Sequence, residues 1–145
     1  MVTTLPKKVF VSGCYDILHG GHIHFFQQAR ALGGHLTVCF ASAEVLKLAK
    51  NRHPSLPDEH KSIILSALSC VDEVVSSSDI DAVFDFRSHL EMLRPDILAV
   101  TDDDKNIERK KIFCAERGIE FIVLAKETRI FPLSTTAIIS AIKDA

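Results

Sequence analysis

The pattern that most narrows the fold of this chain is an alternation. Short apolar, β-rich runs at 9–13, 36–41, 71–75, 96–100 and 120–124 are separated by stretches of helical spacing, at 23–32, 42–47, 57–68, 79–93, 107–117 and 135–142. Several of the runs are continuously apolar instead of alternating in polarity, which marks strands buried on both faces. Strand and helix in strict succession predict α/β architecture: a doubly wound, mainly parallel five-stranded sheet with helices on both faces. Ligands of such sheets sit beyond the carboxyl ends of the strands, near a switch in strand order. A length of 145 residues with 47% hydrophobic content suits one compact domain with a real core. No repeat, low-complexity segment or Pro/Gly linker divides it, so 1–145 is expected to be a single domain, alone or within a longer protein.

One junction carries more chemistry than the others. Val9-Phe10-Val11-Ser12 meets Gly13, and a corner, Cys14-Tyr15-Asp16-Ile17-Leu18, leads to His19-Gly20-Gly21-His22. Helical spacing then begins with Ile23, Phe25, Phe26, Ala29 and Leu32. Both histidines therefore fall where a strand hands over to a helix N-terminus. Such a terminus offers unpaired N–H groups and a partial positive charge, which suit phosphate. Gly20 and Gly21 remove the side chains that would keep an anion off the backbone. Imidazole N–H groups can donate to phosphate oxygens as charge develops in an in-line transfer. Two plainer readings stand beside this one: ordinary histidines at a helix start, and a zinc site, for which no third and fourth ligand is evident. Asp16 reads as a turn former.

A second helix start lies near the C-terminus. Ser134 or Thr135 precedes Ala137, Ile138, Ile139, Ala141 and Ile142, an N-cap followed by an apolar helical pattern. A cap alone is a structural feature. Arg129 stands five residues before Ser134, and an arginine fork beside a serine-capped helix N-terminus makes a second phosphate cradle.

Charge limits the alternatives. With 17 Lys and Arg against 19 Asp and Glu, the net charge is −2. There is no bulk basic field and no basic–aromatic stripe, which argues against a nucleic-acid-binding module. No apolar run approaches the ~20 residues needed to span a bilayer. Residues 1–8 lack an apolar signal core, so a cytoplasmic location without a membrane partner is expected. Cys14, Cys39, Cys70 and Cys114 form no C-x-x-C pair and read as unbridged thiols.

Gly13-Cys14-Tyr15-Asp16 followed by His19-Gly20-Gly21-His22 resembles the H-x-G-H signature of the nucleotidyltransferase superfamily, cytidylyltransferase branch. The segment from Arg129 to Thr136 resembles the R-T-x-G-I-S-T-T motif of glycerol-3-phosphate and choline- or ethanolamine-phosphate cytidylyltransferases. Lys50 and Arg52 fall where that family has basic loop residues. Glu59-His60-Lys61, Val71-Asp72-Glu73-Val74 and Thr101-Asp102-Asp103 resemble its E-H-R-K, V-D-E-V and G-D-D segments. The likeness thus covers almost the whole chain. Departures are Cys14 for a common threonine, Lys61 for an arginine, Ser69 for an arginine of the glycerol-3-phosphate enzymes, Thr101 for a glycine, and Pro132-Leu133 for Gly-Ile. They bear on the acceptor more than on the reaction class.

The resemblance implies a Rossmann-like sheet and transfer of CMP from CTP to a small phosphorylated or phosphonylated acceptor, with release of pyrophosphate. It implies His19, His22, Lys50 and Arg129 as catalytic groups, with the histidines on phosphate oxygens and Lys50 and Arg52 bridging donor and acceptor. Gly13, Cys14, Tyr15, Asp16, Gly21, Arg52, Thr101, Asp102, Asp103, Arg129, Ser134 and Thr135 would form the nucleotide site. Mg²⁺ is expected with the triphosphate, with Asp16 as its candidate ligand, and so is a homodimer. The heptose-phosphate adenylyltransferases share a similar opening and an S-T-T ending, so ATP with a sugar phosphate is the alternative. They generally lack an arginine at the place of Arg129, which favours CTP. A second alternative is a nucleotide-binding sensor domain without turnover. Ser69 allows it, and retention of His19, His22 and Arg129 opposes it.

Overall fold

A computed structural model describes residues 5–126 and 134–145. Five strands form one sheet: β1 (Lys7–Gly13), β2 (Gly34–Phe40), β3 (Glu73–Ser76), β4 (Ile97–Thr101) and β5 (Glu120–Leu124). Their order is β3-β2-β1-β4-β5, and every pairing is parallel. The helices are α1 (Gly20–Ala31), α2 (Ala43–Leu48), α3 (Asp58–Ser66), α4 (Arg87–Leu93), α5 (Ile107–Glu116) and α6 (Thr135–Lys143). The chain winds from β1 outward to β3, then returns to the other side of β1 to lay down β4 and β5. This is the doubly wound, Rossmann-like sheet that the alternation predicts, with its switch point between β1 and β4. Among the described residues no helix is long and apolar enough to cross a membrane.

The continuous apolar runs have a direct structural cause. Val9, Phe10 and Val11 are all fully buried, yet they face opposite sides of the sheet. Val9 and Val11 join Leu36, Val38, Phe26 and Leu65 on the face covered by α1 and α3. Phe10 joins Leu98, Phe84, Phe86, Leu90 and Phe113 on the other. Each face excludes water, so no polar alternation is selected along these strands.

Register positions the cleft. β1 pairs with β2 along its whole length, from Lys7↔Gly34 to Gly13↔Phe40. It pairs with β4 at Val9↔Ile97 and Phe10↔Leu98. Beyond Phe10 the ladder between β1 and β4 stops, and the carboxyl ends of the two strands part.

Two elements differ from expectation. The helix expected over 79–93 begins at Arg87. Asp81 Oδ1 accepts the N–H groups of Val83 and Phe84 at 2.8 Å each, and the Asp79 carboxylate accepts from Ser88 N and Oγ at 2.8 and 2.7 Å. These side chains satisfy backbone donors locally and hold 79–86 out of the helix. The strand expected at 71–75 runs instead from Glu73 to Ser76. Asp72 is occupied elsewhere, accepting from Leu36 N at 2.8 Å and Arg30 Nε at 3.0 Å.

Candidate active site

The site begins with how α1 starts. His19 is its N-cap, in extended conformation, and its Nδ1 accepts the Gly21 N–H at 3.1 Å. His22 reaches back, and its Nδ1 accepts the His19 N–H at 3.2 Å. The two histidines thus form a reciprocal capping box, a task usually given to Ser or Thr with Glu or Gln. Their ring centroids lie 4.0 Å apart. Because each Nδ1 is an acceptor, the proton of each neutral ring sits on Nε2. Each ring therefore keeps one N–H donor for a ligand.

Electrostatics keep both rings neutral at pH 7. Burial, then the charges of His19 and Lys126, push His22 down to about 4. Burial, then Lys126, lowers His19 as well. Tyr15 meets the His22 ring edge-on at 5.5 Å and Phe26 at 5.1 Å, which ties His22 to the core.

These rings line a cleft of ≈ 340 Å³ at the carboxyl ends of β1, β4 and β5. The β1–α1 corner contributes Gly13, Cys14, Tyr15, Asp16 and Gly21 beside the histidines. Arg52 enters from the loop after α2, and Thr101 and Asp103 from the end of β4. Ser134 and Thr135 enter from the start of α6. Ser134 caps that helix, its Oγ accepting the Ala137 N–H at 3.1 Å. Thr135 Oγ1 donates to the Ile17 carbonyl at 3.4 Å. Two helix N-termini from opposite ends of the chain are thereby joined at one cleft.

Other expected residues make contacts of their own. Lys50 is not on the cleft wall; its Nζ stands 3.7 Å from Asp85 Oδ2 and 3.9 Å from Cys14 Sγ. Arg52 Nη1 also points at that thiol, at 3.4 Å. Asp102 is exposed and does not line the cleft; its Oδ1 accepts the Lys126 N–H at 3.3 Å. Arg129 lies outside the described residues, as do Pro132 and Leu133.

Asp16 tests the fit of a resident metal. Its carboxylate accepts from Ser55 N at 2.8 and 3.1 Å and from Ser55 Oγ at 2.5 Å. Lys61 Nζ, 3.2 Å away and almost wholly buried, completes the set and also donates to the Cys14 carbonyl at 3.2 Å. Burial opposes ionisation, but the Ser55 hydrogen bonds and Lys61 outweigh it and hold the carboxyl below its usual range. These oxygens are already satisfied, and among the described residues no three His, Cys, Asp or Glu side chains converge as a metal site. The described residues do not fit a metal held by the protein. Asp16 instead clamps the 52–56 loop and α3 to the β1–α1 corner.

Sequence reasoning missed Lys126. It lines the cleft two residues past β5, with Nζ 3.1 Å from Asp103 Oδ2. The available signal was positional: a cation just beyond the carboxyl end of a parallel strand.

The chain is similar to several known proteins. The chain is 39% identical over 142 residues to the bifunctional protein HldE of Helicobacter pylori strain Shi470, covering 94% of this chain and 28% of that protein. The chain thus spans little more than a quarter of that relative's length. It is 36% identical over 118 residues to the FAD synthase of Thermococcus onnurineus strain NA1, covering 81% of this chain and 77% of the relative. Among solved structures, a lipopolysaccharide core biosynthesis protein from Thermoplasma volcanium GSS1 shares the fold with a TM-score of 0.70 at 23% identity, covering 84% of this chain and 98% of that one. The model of the cytidylyltransferase-like family matches residues 10–141, a span that holds both helix starts and every strand end of the cleft. With the histidine-capped corner and the serine-capped helix inside that match, the chain belongs to the cytidylyltransferase-like family of nucleotidyltransferases.

Proposed function

We propose that the chain transfers a nucleotidyl group from a nucleoside triphosphate to the phosphate or phosphonate oxygen of a small acceptor. One observation carries this reading: two neutral histidines and two helix N-termini face a single cleft. The acceptor oxygen attacks the α-phosphorus, the bond from that phosphorus to the β-bridging oxygen breaks, and pyrophosphate leaves with the electron pair. A phosphate oxygen is already ionised near pH 7, so no general base is needed, and catalysis is positioning and charge stabilisation. The Nε2–H groups of His19 and His22 donate to oxygens whose charge grows in the transition state. The Ser134–Thr135 helix start, with Arg129, holds the β- and γ-phosphates. Arg52, whose partner among the described residues is the Cys14 thiol, is available to the acceptor phosphate, and Lys50 joins it by exchanging Asp85 for phosphate. Mg²⁺ arrives with the triphosphate as part of the substrate.

CTP is the donor that the Arg129 motif favours. ATP is a second reading, supported by the likeness to an FAD synthase, since FAD carries an adenylyl group. That likeness also adds flavin phosphates to sugar and alditol phosphates as candidate acceptors. The homodimer implied by the resemblance is checked by light scattering of the purified chain.

The deciding experiment is pyrophosphate release with CTP and ATP in parallel, Mg²⁺ present, across a panel of phosphorylated and phosphonylated acceptors. Release with CTP supports the first reading, and release with ATP alone supports the second. Nucleotide binding without release across the panel would make the chain a sensor and overturn the enzymatic reading.

A further inference from the structure

Among the described residues three carboxylates line the cleft: Asp16, Asp103 and Asp104. Two of them are matched by lysines held inside the protein. Lys61 pairs with Asp16 and is 1% exposed, and Lys110 pairs with Asp104 at 2.6 Å and is 11% exposed. Asp103 is different, because its lysine, Lys126, lies on the cleft wall itself. The side chains of Lys126 and Asp103 are 37% and 56% exposed, so water and salt screen this pair and it opens at little cost. The position of Lys126 is nonetheless defined, since its own N–H donates to Asp102 Oδ1 at 3.3 Å.

Asp103 has a second donor. Thr101 Oγ1 donates to Asp103 Oδ1 at 2.5 Å. If Lys126 turns away, that carboxylate keeps a hydrogen bond and remains open to water. The ammonium is also close enough for its charge to act on both histidines.

Resting on the nucleotidyltransferase reading, we infer that Lys126 is a triphosphate-binding residue that exchanges the Asp103 carboxylate for phosphate oxygens when the nucleotide enters. A triphosphate carries several negative charges into a cleft already edged by two helix N-termini, whereas Asp103 carries one. The ammonium therefore follows the larger charge, and the exchange leaves neither partner buried and unpaired.

Calorimetric titration with inorganic tripolyphosphate tests this without requiring an acceptor or turnover. Lys126→Gln should weaken binding by about 10-fold or more, and Lys126→Arg should stay within about 3-fold of the parent chain. Asp103→Asn should tighten binding in the parent chain and have little effect in the Lys126→Gln background, because the competition it removes is already gone. Equal affinity in Lys126→Gln and the parent chain overturns the inference and leaves the nucleotidyltransferase reading standing. The same tightening by Asp103→Asn in both backgrounds also overturns it, since Asp103 would then act by repulsion alone. Failure of the parent chain to bind tripolyphosphate, CTP and ATP overturns both readings together.

Discussion

The ring of Tyr15 lies directly against the α-carbon of Gly13, so that a methyl group there would come within 2.7 Å of Cζ and 2.9 Å of Cε1. Tyr15 itself has φ of +46°, in the left-handed region. Its ring cannot swing aside freely, because Phe26 holds it from within and His22 from the cleft side. Gly13→Ala should therefore destabilise the fold by about 1–3 kcal/mol through overpacking. It should also displace His22 and weaken nucleotide binding. An unchanged urea midpoint would show that the corner relaxes without cost.

His19 has two tasks that substitution can separate. His19→Ala should lose the N-cap, costing about 1 kcal/mol, and cut turnover by on the order of 10²-fold. His19→Ser should restore the cap and the stability while leaving turnover low. Paired measurements of thermal unfolding and pyrophosphate release check this, and full activity in the serine variant would reduce His19 to a capping residue. His22→Ala should likewise slow turnover by on the order of 10²-fold.

Stability should depend on pH in two separate windows. His22 titrates at about 4 in the folded chain, below its ordinary 6.5. Between these values the unfolded chain binds a proton that the folded chain refuses, so stability is lost as pH falls from about 6.5 toward 4. Asp16 and Asp72 are both held below the usual carboxyl range. Their contribution is present above about 4 and is lost at still lower pH. His22→Gln should reduce the slope of the upper window, leaving the smaller part that His19 contributes, and leave the lower one. Urea midpoints across pH measure both, and an unaltered upper slope would assign it to another group.

The Asp16–Lys61 clamp should be costly to break from one side. Lys61→Met leaves a carboxylate in a closed corner without its cation and should destabilise the fold by about 3 kcal/mol or more. The double variant Asp16→Asn, Lys61→Met should be less impaired than Lys61→Met alone, because the unpaired charge is gone. Additive losses in denaturant unfolding would contradict the pairing.

The parts legible in the sequence are those written in local spacing. Val9, Phe10 and Val11 announce a strand buried on both faces, and Gly13 with the shift to helical period announces the corner. Ser134 announces its own cap. The segment 79–86 was misread because Val83, Phe84, Phe86 and Leu90 mimic a helical face, while Asp79 and Asp81 satisfy the backbone in a way that apolar spacing does not register. The surroundings of Lys50, Asp16 and Lys126 are not legible for another reason. Their partners, Asp85, Ser55 and Asp103, are far away along the chain, and only the folded sheet brings them together. A carboxylate's chemistry depends on such partners, and those of Asp16 are set only by the fold.

The short ladder between β1 and β4 has a mechanical consequence. Two rungs, Val9↔Ile97 and Phe10↔Leu98, join the three-stranded half of the sheet to the two-stranded half. Among the described residues this is the shortest ladder of the sheet, and it ends at the floor of the cleft. On the proposed function, a bound triphosphate touching the β1–α1 corner on one side and the ends of β4 and β5 on the other would act as a stitch across that ladder. Occupancy would then stiffen the whole sheet as well as the site, and heat tolerance would become a gauge of what the cleft holds.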